Sequence, residues 1–415
     1  MIEQKDMKMN NLILSLGFLL VISIMSSAGL YAQQRIEAEH VVIYSDDDRF
    51  AGWPANASAA IFPDDEILTG FIEGPYELQD GHNLGELYHA WLARSKDGGM
   101  TWTTGNPEKY VGDFGDKPEL LVLDEPVNFL APGFVMRVVG TAYHGADDPR
   151  GHFFYSLNKG GSWNGPYRIN GMDWSFLNRY GLDELTPRTD YIVTGENECI
   201  FFISAREKGE FGTDRLFCIK TDDGGQSFNF LGWVIKPFQK DAPNKRKVEL
   251  YEKEEKNPFA TECRAVMSSS LMLEDGTLLS SIRRKFIIRG GTDKHWIDLY
   301  ASTDGGKTWE FRSKVCDTGP HNGNPPAMEL TADDRLCVAY GDRRNGTVNV
   351  KYSSDQGMTW SDPQILMDGF WSEDMEFNDL GYPRLFRRSD NKMVAVFYYS
   401  TAENPHHLRA CIWSP

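Results

Sequence analysis

One eight-residue turn recurs five times along this chain, and that repetition limits the fold more than any other feature. The cleanest copy is Ser302 to Trp309, S-T-D-G-G-K-T-W. Ser95–Trp102, Ser156–Trp163, Thr221–Phe228 and Ser353–Trp360 repeat it with small changes. The third-place Asp or Asn can accept backbone N–H bonds across a tight turn. The fifth-place glycine supplies positive φ, and the closing Trp or Phe plugs into the apolar layer beneath. Third-place residues fall at 97, 158, 223, 304 and 355, so they are 61, 65, 81 and 51 positions apart. Each interval fits one four-stranded sheet plus loops, the pattern of an all-β, six-bladed β-propeller.

The 415 residues, 41% hydrophobic, are ample for one large core. Lys8, the apolar run Leu12–Ile24 and the small residues up to Ala32 have the layout of a secretory signal peptide, with cleavage expected after Ala32. A membrane anchor is the alternative, although the run is shorter than the roughly 20 residues a span needs. The expected organisation is therefore a signal peptide over 1–32, then a single propeller over 33–415, acting as a periplasmic or extracellular monomer. A net charge of −17 argues against nucleic acid or an anionic membrane as partner. Six cysteines without C-x-x-C spacing read mostly as buried strand residues.

The strand Ile36–Tyr44 is expected to complete the last blade. Blade one begins near Gly52, blade two spans Asn128–Trp163, blade three opens at Arg188, blade four at Glu262, blade five near Asn322 and blade six at Gly381. Blades one to five are each expected to close at an octet. Lys236 to Lys256, dense in Lys and Glu, reads as an interblade loop.

The octets resemble the Asp boxes of the sialidase (BNR-repeat) family, whose catalytic members are six-bladed propellers. The boxes speak for fold rather than activity. In that family three arginines hold the substrate carboxylate, and a tyrosine polarised by a glutamate is the nucleophile. Tyr382, in Asp379-Leu380-Gly381-Tyr382-Pro383, stands where that tyrosine stands, and Glu262 matches the glutamate. Arg283-Arg284 and Arg343-Arg344 match the second and third arginines. Adjacent strand residues face opposite ways, so one of each pair can reach the site. Where the family has Arg-Ile-Pro on blade one, this chain has Gly52-Trp53-Pro54, and Arg49 is the nearest substitute. For the acid/base, the loop after Phe71 offers Glu73, Glu77, Asp80, His82 and Glu86, of which Asp80 is the choice.

Arg188, Asp190, His321, Asn324 and His144 are further axial polar groups outside the family's pattern. They suit a different anionic sugar, such as a uronate, and a His with Tyr and Arg neighbours can run β-elimination. No metal or cofactor motif is present; His144 and His152 lack a ligand framework. The expected function is a secreted exo-glycosidase of sialidase type, acting on a terminal acidic sugar of a glycan through a retaining Tyr nucleophile. The alternatives are a uronate glycosidase or lyase, and a non-catalytic glycan-binding propeller.

Overall fold

Long runs of β-branched and aromatic residues, such as Met393–Tyr399 and Cys199–Arg206, are buried along their whole length, as central strands of stacked sheets must be. In the computed structural model these runs build six antiparallel sheets arranged as the blades of a propeller. The structure describes residues 34–78, 82–107, 110, 119–140, 151–207, 214–237, 264–286, 293–372 and 377–415. The expected signal peptide, Asp80, His144, Glu262 and Cys263 lie outside the described residues, as does the loop 238–256.

Blade four shows the pattern: Arg264–Met272, Leu278–Phe286, Lys294–Ser302 and Glu310–Asp317 pair in order. The octet Ser302–Trp309 therefore connects the third strand to the fourth, and each such blade continues for one strand beyond its octet instead of closing there. The expected closing strand is confirmed, because Glu39–Tyr44 pairs with His407–Trp413 of blade six. Pairing an N-terminal strand with the C-terminal strands in one blade closes the ring of blades.

Inside the turns, each third-place carboxylate works as the sequence suggests. Asp304 Oδ1 accepts the N–H groups of Lys307 and Thr308 at 3.0 and 2.9 Å, Ser302 Oγ accepts Gly306 N–H at 2.9 Å, and Trp309 Nε1 donates to the Gly306 carbonyl. Hydrogen bonds from the Thr308 hydroxyl and backbone pull the Asp304 carboxyl down to about 2, and Thr359 does the same for Asp355. A depressed folded value means the stabilisation is complete above the ordinary carboxylate range and is lost as pH falls toward 2. Melting temperature is thus expected to hold from pH 7 to about 5 and to drop steeply between about 4 and 2; circular-dichroism melts across that range check it.

The octets and the axial arginines occupy opposite ends of the strands. Leu278 pairs with Ser302 while Arg283 pairs with Ile297, five residues, or roughly 17 Å, along the strand. Blade five repeats this, with Leu336 opposite Ser353 and Asp342 opposite Thr347 just before Arg343.

Cross-blade ties hold the axis together. Arg384 donates to the carbonyls of Pro54, Ala55, Ala57 and Thr189, fastening blade six to blades one and three. Asp190 accepts from the Ser268 and Ser270 hydroxyls and the Ser270 N–H, joining blades three and four. The five described cysteines are free, and four are buried.

Candidate active site

Tyr382 opens the innermost strand of blade six at φ 50, a left-handed backbone that a tyrosine adopts only under constraint. Asn324 supplies that constraint: its Oδ1 accepts the Tyr382 N–H at 2.8 Å and its Nδ2 donates to the Leu380 carbonyl at 2.9 Å. The preceding Gly381 has φ +105, and a methyl group there would overlap Asn324 Oδ1. Gly381→Ala is therefore expected to destabilise the protein by more than about 1 kcal/mol and to displace Tyr382; urea denaturation alongside an activity assay measures both.

Trp53 and Met267 are also left-handed, at φ 59 and 60, and so are His321 and Asn322, at φ 54 and 67. All five residues converge on one place. Bulges in the inner strands of blades four and six, between Val266 and Ser268 and between Gly381 and Arg384, re-aim the side chains there.

Strand alternation sorts the paired arginines. Arg283 Nη1 donates to the Tyr382 hydroxyl at 3.1 Å, and its other nitrogens bond the Asn322 carbonyl. Arg343 Nη2 bonds Asp379 Oδ1 at 2.7 Å and the Tyr398 hydroxyl at 2.8 Å, while Nη1 bonds the His321 carbonyl. Both guanidinium groups lie within 6 Å of the Tyr382 ring, at 5.5 and 5.7 Å.

Arg284 instead points into the sheet, fully buried against Asp298 and Tyr300, each at 3.0 Å, and Arg344 is exposed. One arginine of each pair thus joins the Tyr382 cluster, as strand alternation allows, while Arg284 and Arg344 stay outside it. Arg49 is likewise held outside the cluster, gripped by both oxygens of Glu73. Asp190 is occupied by its serines, and the His321 ring stacks on Phe377 at 4.3 Å while its carbonyl serves Arg343.

His82, a member of the blade-one acidic loop, enters the cluster. Its Nδ1 lies 3.0 Å from both oxygens of Asp379, and its ring packs edge-on to Trp53 at 4.7 Å and to Tyr382 at 5.7 Å. Sequence reasoning quoted Asp379 only as part of the Tyr382 stretch and passed over Tyr398. Tyr398 sits in a strand buried along its whole length, so no alternation marks it out, and its partner across the sheet cannot be read from one strand.

Charge is distributed unevenly over this cluster. Burial by itself would push the Tyr382 phenol up, but the neighbouring Arg283, His82 and Arg343 outweigh it and pull the phenol down to about 7. Tyr398 moves the opposite way: burial and the Asp379 anion push it well up. Burial also opposes ionisation of Asp379, yet His82 and Arg343 hold its carboxyl below the usual range. Two tyrosines whose rings lie 5.9 Å apart are thereby shifted in opposite directions. Among the described residues no group of three or more His, Cys, Asp or Glu is placed to hold a metal ion.

These features define a class: a sialidase-like six-bladed propeller with a buried, cation-rich tyrosine site at its axis. No protein-family model matches the chain, and no curated protein matches it. Among solved structures, a protein of unknown function from Dyadobacter fermentans is 17% identical, with a TM-score of 0.63 over 90% of this chain and 97% of its own. An α-L-arabinofuranosidase from Fusarium graminearum, in complex with an iminosugar inhibitor, is 12% identical at a TM-score of 0.52, covering 89% of this chain and 97% of that one. The NanB sialidase from Streptococcus pneumoniae is 11% identical at a TM-score of 0.52, covering 90% of this chain and 70% of that one. At such identities the likeness is one of fold.

Proposed function

We propose that this protein is an exported glycoside hydrolase that removes a terminal acidic sugar from glycans, with Tyr382 as nucleophile. The observation that carries the reading is the Tyr382 phenol, set between Arg283 and Arg343 and drawn down to about 7. An ordinary tyrosine, near 10, is a poor nucleophile at neutral pH and needs activation of this kind.

The phenolate attacks the anomeric carbon as the glycosidic C–O bond breaks, and the departing oxygen takes a proton from the blade-one loop that carries Asp80 and His82. Water then attacks the same carbon, the Tyr382 C–O bond breaks, and the proton of that water returns to the loop. The α-L-arabinofuranosidase and the sialidase of like fold are named for action on sugars, which favours a carbohydrate substrate.

The opposed tyrosines support a second reading, β-elimination of a uronate. There Tyr382 would remove the proton α to the carboxylate, and Tyr398 or His82 would protonate the leaving oxygen. One experiment separates them. The purified protein is given methylumbelliferyl α-sialoside and a panel of uronate polysaccharides, with a fluoride-substituted sugar trap and mass spectrometry alongside. A covalent adduct on Tyr382 supports the hydrolase; an ultraviolet-absorbing unsaturated product without an adduct supports the lyase; turnover of neither class sinks both.

A further inference from the structure

Trp53, whose ring edge rests on His82, also lines a small cleft of about 30 Å³, partly open to solvent. Asn56, Tyr88, Arg137 and Arg188 line it too. Arg137 comes from the first described strand of blade two and is only 3% exposed. Its Nη1 donates to the Tyr110 hydroxyl at 3.0 Å and its guanidinium lies 5.0 Å from the Tyr110 ring centre, yet its Nε has no hydrogen-bond partner.

No carboxylate among the described residues pairs with Arg137, and the nearby Arg384 cation adds repulsion. Two more buried polar atoms on the same cleft lack partners, the donor Trp53 Nε1 and the acceptor Asn56 Oδ1. A guanidinium taken out of water without a counter-ion is strongly unfavourable, and native proteins keep such arrangements where an anion arrives to complete them.

We propose that this cleft is the subsite that recognises the carboxylate of an acidic sugar, with Arg137 and Arg188 as its cationic wall and Trp53 as the surface on which the ring rests. The proposal rests on the reading of the protein as an enzyme for acidic sugars. It moves charge recognition from Arg283 and Arg343, which bond Asn322, His321, Tyr382 and Asp379, to blades two and three, where Arg188 Nη1 bonds the Thr186 and Pro187 carbonyls and Arg137 Nε meets no acceptor. It also gives the cleft behind Trp53 the task left open by Gly52, where no arginine stands. A planar guanidinium suits a carboxylate, and an indole N–H with an amide carbonyl suits sugar hydroxyls.

Isothermal titration of the purified protein with D-glucuronate, N-acetylneuraminate and D-glucose tests the proposal at low and physiological salt. At least one of the two acids is expected to bind tenfold or more tightly than D-glucose. Arg137→Gln and Arg188→Gln are each expected to remove that preference. Arg137→Gln is further expected to melt no lower than the parent, because it deletes an unpaired buried charge; an arginine kept for structure would lower the melting temperature. Should Arg137→Gln not fold, Arg188→Gln alone decides. Equal binding of D-glucose and the acids, no binding of either acid, or an acid preference untouched by the substitutions would overturn the proposal. Tyr382→Phe is expected to keep the preference, so failure of the nucleophile and failure of the subsite give different results.

Discussion

Tyr382→Phe is expected to lower turnover by about 10³-fold or more while the protein stays folded. The substitution removes one oxygen, and with it the 3.1 Å bond from Arg283 and the phenol that the surrounding cations draw down toward neutrality. Loss of one buried hydrogen bond is worth about 1 kcal/mol, which a chain with six closed blades absorbs. A merely structural tyrosine would show the reverse, a stability change with activity retained. The pH profile provides the second readout. Because Tyr382 works as its phenolate, kcat/KM of the parent is expected to rise with pH through a limb near 7. Arg283→Gln removes the largest attraction holding the phenol down, so the limb should move to higher pH by about one unit or more. A limb that stays in place in Arg283→Gln would assign it to another group.

The fold was legible because it rests on local chemistry repeated five times. Asp304, Gly306 and Trp309 act within one octet, and their bonds need no knowledge of distant strands. The strand Glu39–Tyr44 was also readable as a closing strand, since five octets leave one blade that needs a partner. The site was legible only in part. Tyr382, Arg283 and Arg343 were marked by their place at the ends of inner strands, and alternation settles which of each arginine pair turns inward. Asp379 and Tyr398 were not, because their roles come from contacts between the turn before one strand and the strand beside it. Arg49 illustrates the limit of sequence distance: it lies three residues from the expected position, yet Glu73, diagonally across the strand pair, captures its side chain. Arg137 gave no signal at all, since a lone arginine in an apolar strand looks the same whether it is salt-bridged or left to meet a ligand.

Asp379→Ala is expected to be the most damaging single change in the cluster for stability. Its carboxylate is fully buried and serves three partners at once: His82 at 3.0 Å, Arg343 at 2.7 Å and the Tyr398 hydroxyl. Removing it leaves Arg343, itself 2% exposed, as a buried cation without its anion, a change that typically costs about 3–5 kcal/mol. The Tyr398 hydroxyl loses its acceptor in the same step. Asp379→Asn keeps the shape but not the charge, so it should fall between the parent and Asp379→Ala in urea denaturation. Linkage gives an independent check. The folded carboxyl is held below its ordinary range, so its contribution is complete above that range and is lost as pH falls through the folded value. The gap in stability between parent and Asp379→Ala should therefore be widest near neutral pH and narrow on acidification. A gap that is constant from pH 7 down to about 3 would mean that Asp379 acts through its shape and not its charge.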